Sequence, residues 1–446
     1  MDWKRHPVTV VLLLGWTGIA TADDWPQWRG PRGTGVSAEK GLPTRWDQDT
    51  IAWKVRLGGL GVSSPVVAED RVFITSQVGR GARRPGTHPT LARGEEGKAE
   101  KPLGGAHAGA EGDAKQVDFL VEAFRRKDGR RLWQFGFPAE GDLPAVHDKH
   151  NLASPSPVTD GERVYAWFGT GQLIALDADD GAPLWQRNLA KDFGPFEITW
   201  GHGSSPALYG GLLFLLCDHD PASYLLALDK KTGKQRWRVN RGKGLRSHST
   251  PTVVRGPRGD ELIVNSSARI DAYDPRTGQP LWHAGGPNRF PIPVPAHHDG
   301  VLYTSRGYRS GPYMAIRTGG RGDVSKSHVQ WTVPTGAPYV SSLLYYEGLV
   351  YMASDAGIVT AVDPETGGKV WQERVPGIFT ASPVAADGKV YLLSETGDAI
   401  VLKAGRQPVV LERNALGYRM VASPAVSDGQ FFIRTDDHLL AIGHPR

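Results

Sequence analysis

Imidazole, guanidinium and aromatic side chains concentrate in a few loop-like segments of this sequence. Examples are "VHDKHNLA", "ITWGHG" and "GLRSH", which begin at Val146, Ile198 and Gly244. Such groups suit an anionic or hydroxyl-rich ligand, because they donate hydrogen bonds to oxygen atoms. The alternative is that they bond loop carbonyls and water. The candidate residues are His147, His150, Asn151, Trp200, His202, Arg246, His248, Arg289, Tyr339 and Arg419.

Two other patterns carry chemistry that the sequence supports less well. The "CDHD" at residues 217–220 offers metal ligands, but adjacent residues of a strand point to opposite faces. We therefore predict no metal site. Asp142 and Glu197 are two carboxylates of the kind that sugar-cleaving enzymes use, and that chemistry requires the pair to face each other. No catalytic residue is assigned.

A unit that recurs eight times must position these segments. Its copies begin with a Ser-Pro-like pair and, one large insertion aside, follow at intervals of about forty to fifty residues, which is typical of propeller blades. Each copy predicts four short strands, a to d, joined by tight turns such as Asp-Gly and Asp-x-x-Thr-Gly. The copies begin at Ser63, Ser154, Ser204, Ser249, Pro293, Ser341, Ala381 and Ala422.

A tryptophan ends most copies, after phrases such as "LLALDKKTGKQRW". Because it recurs at one position of the repeat, we interpret it as packing between blades rather than as a ligand contact. Leu411 stands at this position in the seventh copy. The tryptophans are Trp53, Trp133, Trp185, Trp237, Trp282, Trp331 and Trp371.

The two ends of the repeat array complement each other. The eighth copy stops after "HLLAIG", with no strand d, whereas "IAWKVRL" around Trp53 is a strand without a blade. Pairing the two would close the ring and remove its open sheet edges. The sequence thus predicts an all-β fold, an eight-bladed β-propeller of four-stranded antiparallel blades closed by the N-terminal strand.

The repeat pattern SSP…DGxVY…LxALDxxTGxxxW resembles that of PQQ-type quinoprotein propellers and of the BamB family. The resemblance covers nearly the whole chain after residue 22, and it implies the fold more strongly than any function. Quinoprotein alcohol dehydrogenases of this kind use PQQ, Ca²⁺, acidic ligands and often a disulfide of adjacent cysteines. Cys217 is the only cysteine here, and the candidate residues are poor in Asp and Glu, which Ca²⁺ prefers. We predict no cofactor, with PQQ and calcium disfavoured.

The N-terminal residues predict export. Residues 1–22 combine Lys4 and Arg5 with an apolar core and an Ala-x-Ala exit, as in a secretory signal peptide. A single propeller is expected over residues 23–446, in the periplasm or secreted, without a lipid-bearing cysteine near the cleavage site. Residues 78–116 are predicted to be a disordered insertion in blade one. The net charge of +5 is too small to suggest nucleic acid, and no transmembrane span is expected.

The predicted blade topology gathers the candidate residues at one end of the channel. Loops from d to a and from b to c emerge on one face, which we call the mouth, and the tight a-to-b and c-to-d turns on the other, the hairpin face. Long loops on a rigid scaffold commonly carry function. We therefore predict a monomeric, non-catalytic binding or scaffold module for a protein or glycan partner. The alternative is a PQQ-dependent quinoprotein oxidoreductase acting on alcohols or sugars.

Overall fold

The computed structural model describes residues 24–47, 49–84, 116–306, 308 and 310–444. The predicted signal peptide and most of the predicted insertion of blade one lie outside these residues. Within them the chain is almost entirely strand, and the one helix, Leu189–Phe193, precedes blade three. No helix of the described part is long and apolar enough to cross a membrane.

Eight four-stranded antiparallel sheets follow one another around a central channel, as the repeat predicted. In each, strand a lines the channel and strand d is outermost. Blades one to four consist of Val66–Ala68, Arg71–Val78, Asp118–Arg125 and Arg131–Pro138; Val158–Thr159, Arg163–Trp167, Gln172–Asp177 and Pro183–Asn188; Ala207–Tyr209, Leu212–Asp218, Ser223–Asp229 and Gln235–Gly242; and Thr252–Gly256, Gly259–Asn265, Ile270–Tyr273 and Pro280–Ala284.

Blades five to eight repeat this order, and blade eight takes its strand d from the N-terminal part of the chain. They consist of Ala296–His298, Val301–Ser305, Tyr313–Arg317 and Val329–Val333; Leu344–Tyr346, Leu349–Ala353, Ile358–Val362 and Lys369–Arg374; Val384–Ala386, Lys389–Leu393, Asp398–Lys403 and Val409–Ala415; and Ala425–Ser427, Gln430–Arg434, His438–Ile442 and Ile51–Arg56. Two short strands, Arg83–Arg84 and Val146–His147, pair in parallel, and Gly322–Asp323 extends blade four.

The ring closes where the sequence predicted. Strand Ile51–Arg56 pairs antiparallel with His438–Ile442, and Trp53 lies opposite Ala441. Its indole Nε1 then donates to the carbonyl of Arg126 in blade one, 2.8 Å away. One strand therefore joins the last blade to the first and leaves no open edge at the seam.

The recurring tryptophan ties each blade to the next. In blade one, the Trp133 indole donates to the carbonyl of Ala178 in blade two at 3.0 Å. It also packs against Gly181, whose φ is +76° and where an added Cβ would lie 2.6 Å from the ring. This explains why the repeated turn requires glycine. Blade seven has no tryptophan, and here Trp46 packs against Tyr391 and Phe431.

The Ser-Pro starts form a second set of ties around the channel. A backbone N–H at the start of one blade donates to the Ser or Thr hydroxyl at the start of the next, at 2.9–3.1 Å. Each of these bonds satisfies a buried backbone donor. We call these contacts the hydroxyl relay. Its members are Ser64, Ser156, Ser205 and Thr250 in blades one to four, and Val294, Ser342, Ser382 and Ser423 in blades five to eight.

A buried arginine spans each of the two joints that the relay leaves out. Between blades four and five, Arg306 donates to Asn265 Oδ1 at 2.6 Å and to the carbonyl of Ser266 at 2.8 Å. Between blades eight and one, Arg434 donates to Ser63 Oγ at 2.8 Å. Burial lowers the pKa of both guanidiniums to about 10. The two arginines lie one residue apart in the repeat, Arg434 at the last residue of strand b and Arg306 just after it.

Residues 24–41, which we call the N-terminal plug, lie against the hairpin-face end of the channel. Trp25 exchanges backbone hydrogen bonds with Val67 of blade one, and Ser37 donates to Ala385 of blade seven at 2.9 Å. Between them Arg29 is buried and donates to the carbonyl of Leu343 at 2.9 Å. Burial lowers its pKa to about 9. The plug therefore fills this end with a side chain that contacts blade six.

Candidate functional site

A loop crosses the mouth of the channel. Residues 139–153, between blades one and two, form this cross-channel loop. Lys149 Nζ lies 2.6 Å from Glu395 Oε1 in blade seven, and the carbonyl of Lys149 accepts from Arg419 at 3.4 Å. Thr380 donates to the same Glu395 at 3.0 Å. The loop is thus held by charged and polar contacts with blade seven and with the loop that follows it.

The mouth contains more carboxylates than the sequence analysis expected. Asp355, Glu395 and Asp436 occupy equivalent b-to-c positions of blades six, seven and eight. Arg419 lies 2.6 Å from Asp436 and 3.3 Å from Glu395. These acids were missed because the analysis considered residues before strand a. The repeated "SDAG", "SETG" and "TDDH" after strand b were the signal that could have found them.

The carboxylates of Glu395 and Asp436 are largely compensated by the positive charges of Lys149 and Arg419. Burial alone would raise the pKa of Glu395, but Lys149 and Arg419 lower it below its ordinary value. Burial raises the pKa of Asp436 against the opposing effect of Arg419. Partial burial also raises the pKa of Asp355, against the opposing effect of Lys149. Glu395 is therefore held as a carboxylate between two cations, which suits a structural ion pair better than a proton-transfer group.

Two histidines of blade three form a buried pair below the loop. His202 Nε2 bonds the carbonyl of Ser204 at 3.0 Å, so it carries the proton. His202 Nδ1 then accepts from His219 Nε2 at 3.0 Å. Phe196 and Trp167 pack on the pair, with ring centroids 4.3 Å from His219 and 4.2 Å from His202. In the sequence His219 is recognisable only as a possible metal ligand, and its pairing with His202 was not predicted.

His150 and His248 lie close to this pair. We call the four residues His150, His202, His219 and His248 the imidazole cluster. Burial lowers the pKa of His219 and His248 to about 3 each, and that of His202 well below 6.5. The pKa of His150 is also lowered, mainly by burial. His150 Nε2 lies 2.6 Å from the carbonyl of Trp200. All four imidazoles are therefore neutral at pH 7 and cannot attract an anion by charge.

Trp200 connects the cross-channel loop to blade three. It has a φ of +79°, which is rare for a non-glycine residue. Its ring meets that of His147 edge-on at 5.5 Å between centroids, and its carbonyl accepts from the His147 N–H at 3.0 Å. Asn151 is buried and donates to the carbonyl of Leu60 at 2.9 Å. These predicted residues are brought together, and their contacts order the loop.

An aromatic row lies beside the cluster on blades four to six. The row is Phe290, Tyr308 and Tyr339, with centroids 6.1 Å and 5.2 Å apart and edge-on geometry. Arg246 lies over the Phe290 ring at 5.9 Å and pairs with Asp220. The three rings are half-buried, while Arg246 and the neighbouring Arg289 are exposed. Tyr339 and both arginines were predicted from the sequence, and Phe290 and Tyr308 were not.

The side chains of the Cys-Asp-His-Asp sequence at residues 217–220 contact different partners. Asp218 is buried and pairs with Arg241 at 2.7 Å, whereas His219 faces His202. Burial raises the pKa of the Cys217 thiol, so the thiolate is disfavoured. Among the described residues, no group of three or more His, Cys, Asp or Glu side chains is placed to hold a metal ion. Asp142 and Glu197 are exposed on different loops.

Taken as a whole, the mouth offers a surface for binding. Glu395 and Asp436 face arginine or lysine, and the imidazoles are neutral and bonded. The aromatic row with its flanking arginines remains partly accessible. Aromatic residues and arginine are enriched at the energetically important centres of protein interfaces.

Comparison with known proteins places this geometry among the PQQ-repeat propellers. The sequence profile of the family described as outer membrane protein assembly factor BamB matches residues 117–290, 293–404 and 355–442. The tetrathionate hydrolase of Acidithiobacillus ferrooxidans is 26% identical over 299 residues, which is 61% of this chain. The quinoprotein ethanol dehydrogenase of Pseudomonas aeruginosa is 32% identical over 164 residues, or 34% of this chain.

Solved structures agree on the fold. The crystal structure of BamB from Moraxella catarrhalis aligns with a TM-score of 0.57 at 18% identity, covering 88% of this chain and 96% of that one. The sequence matches cover less of the relatives: 53% of the tetrathionate hydrolase and 24% of the ethanol dehydrogenase. This chain thus spans about half the length of the first and a quarter of the second.

Proposed function

This chain belongs to the PQQ-repeat family of the outer membrane protein assembly factor BamB, and from that premise we propose that it is a non-catalytic binding module for a protein partner. It is exported and acts in the periplasm or outside the cell. The partner docks on the mouth, against the aromatic row and its two exposed arginines.

One observation carries this proposal: the polar groups of the mouth satisfy one another, and an aromatic surface remains. Glu395 lies between Lys149 and Arg419, and loss of solvation keeps the imidazole cluster neutral. A general acid or base must instead present a titrating group to its substrate. Rigid aromatic rings beside arginine supply contact area at low entropic cost, as in many protein interfaces.

The experiment is site-specific photo-crosslinking. A photoreactive phenylalanine analogue replaces Tyr339 in the aromatic row, and in a matched variant it replaces Tyr345. Tyr345 is also half-buried and lies on strand a of blade six, toward the hairpin face. We expect one defined polypeptide to be crosslinked from position 339 in envelope extracts and not from position 345. The substitution Arg246→Glu should reduce that crosslink, and Arg317→Glu, on an exposed strand end, should not.

Other outcomes would contradict the proposal. Equal crosslinking from both positions would place the partner elsewhere, and no crosslink from position 339 would remove the mouth as a docking surface. Binding of a purified oligosaccharide that depends on Tyr339, without any protein crosslink, would support a glycan partner instead.

The second candidate is a quinoprotein oxidoreductase, and the three equivalent acids of blades six to eight favour it. The fit to PQQ with Ca²⁺ is poor, however. Lys149 Nζ, 2.6 Å from Glu395, stands where a cation bound by that carboxylate would have to lie, and Arg419 adds a second positive charge. Ca²⁺ requires several oxygen ligands free of such competition. Stoichiometric PQQ uptake with alcohol-dependent dye reduction would favour this candidate over the binding module.

A further inference from the structure

A cleft runs along the channel wall, from the start of strand a toward the hairpin face. It lies between the N-terminal plug and strand a of blades three and four, and its volume is about 220 Å³. Its walls include Trp28 and Arg32 of the plug, Pro206 of blade three, and Thr250 and Arg255 of blade four. The cleft therefore exists only because the plug is docked in the channel.

The cleft lies beside one of the interruptions of the hydroxyl relay. Val294, which replaces a Ser or Thr at the start of blade five, is one of its lining residues. On the plug side, the Trp28 indole Nε1 donates to Ser423 Oγ of blade eight at 3.3 Å. Because blade eight is opposite blade four, Trp28 extends across the channel and is fixed at its far edge. Its ring offers an aromatic wall that is held in place.

The cleft carries a net positive charge, because two guanidiniums stand against one carboxylate, that of Asp260, which lies opposite Arg255 across the strand pair. Arg32 and Arg255 are both exposed, and among the described residues neither has a carboxylate within ion-pair distance. The one acid in the lining, Asp260, accepts from the Tyr209 hydroxyl at 2.7 Å. At the mouth, by contrast, Arg246 and Arg419 each pair with a carboxylate. Two unpaired guanidiniums at the rim of a small pocket favour an anion.

We propose that this cleft binds a small organic anion, a carboxylate with a flat apolar part. The flat part lies between the Trp28 ring and the apolar surface of blades three and four. The carboxylate lies between Arg32 and Arg255, whose planar guanidiniums match its two oxygens. Small-molecule sites commonly combine mainly apolar walls with a few convergent polar groups. The site is separate from the mouth and does not depend on the proposed protein partner.

The test uses 4-fluorobenzoate as the probe and ¹⁹F NMR line broadening as the readout, with the purified full chain. The neutral 4-fluorobenzamide, which has nearly the same shape, isolates the contribution of charge. The double substitution Arg32→Gln with Arg255→Gln removes both guanidiniums, and Arg317→Gln removes an exposed guanidinium elsewhere. All three arginines are exposed, so folding should be unaffected, and thermal unfolding by circular dichroism checks this.

We expect saturable binding of the benzoate to the native protein and to Arg317→Gln. Binding to the double variant should be weaker by about tenfold or more, since charge-assisted bidentate contacts are lost. The benzamide should bind the native protein correspondingly weakly. No saturable benzoate binding at millimolar concentration, equal binding of benzoate and benzamide, or unchanged binding by the double variant would each overturn the proposal. None of these results depends on the mouth or on its partner.

Discussion

The buried His202–His219 pair should make the protein sensitive to mild acid. The pKa of His219 is about 3 in the folded protein against an ordinary 6.5. Because the folded pKa is the lower one, the unfolded chain takes up the proton first as pH falls. The stability that the neutral imidazole contributes is therefore complete above pH 6.5 and is lost progressively as pH falls toward 3.

The size of the effect follows from the same two values. A pH of 5 is about 1.5 units below the pKa of the imidazole in the unfolded chain. Each unit corresponds to about 1.4 kcal/mol of unfolding free energy. His219 alone should cost about 2 kcal/mol of unfolding free energy between pH 8 and pH 5. His248, whose pKa is also about 3, should add a similar amount. Carboxylates contribute mainly at lower pH, since their ordinary pKa values lie near 4.

The assay is urea unfolding followed by tryptophan fluorescence at pH 8 and pH 5. The variant His219→Gln cannot be protonated, so its loss of stability between the two pH values should be smaller than that of the native protein by about 2 kcal/mol. The control His298→Gln changes an exposed histidine of blade five and should keep the native difference. Identical pH dependence of the native protein and His219→Gln would refute the reasoning.

Three further predictions concern the scaffold. Gly181→Ala should lower the unfolding free energy more than Gly161→Ala, by about 1–3 kcal/mol. Both glycines have positive φ, but only a Cβ at position 181 would meet an indole ring. Urea unfolding midpoints measure the difference. Glu395→Gln should lower the unfolding free energy by about 1–3 kcal/mol and speed proteolysis within the cross-channel loop, because a half-buried lysine loses its partner, whereas the exposed Glu162→Gln should change neither. Deleting residues 51–56 should prevent accumulation of soluble folded protein, because two sheet edges are exposed; a cooperative thermal transition in that deletion would contradict the closure argument.

The blades could be predicted from the sequence because each is specified locally. Alternating apolar residues, Asp-Gly turns and the Thr-Gly…Trp phrase repeat within every unit, so eight copies supply the same information many times. The closure was predictable by counting, since one strand was missing and one was spare. The constant positions of tryptophan and glycine in the repeat predict that Trp133 packs against the neighbouring blade. They do not predict that it lies on Gly181.

The candidate site was harder to predict because its contacts join loops distant in the sequence. Lys149 and Glu395 are 246 residues apart, and no periodic pattern determines how far a loop extends across the channel. Ten residues were predicted to lie near the mouth, and the structure brings most of them into contact, but as partners of one another or of backbone carbonyls. The position of the N-terminal plug was likewise unspecified, because its sequence has no repeat with which it could be aligned.

The two arginine joints have a mechanical consequence. Between blades one and four, and between blades five and eight, neighbouring blades share a hydroxyl contact at the channel wall. Force applied across the ring is carried there by several equivalent links. At the two joints the guanidinium of Arg306 or Arg434 takes the place of that hydroxyl. Other bonds cross the same joints, since Asn265 donates to the carbonyls of Pro293 and Ser305 and Arg126 pairs with Asp428. Lateral tension should therefore be resisted by charged and amide groups at these two joints and by hydroxyl groups at the other six.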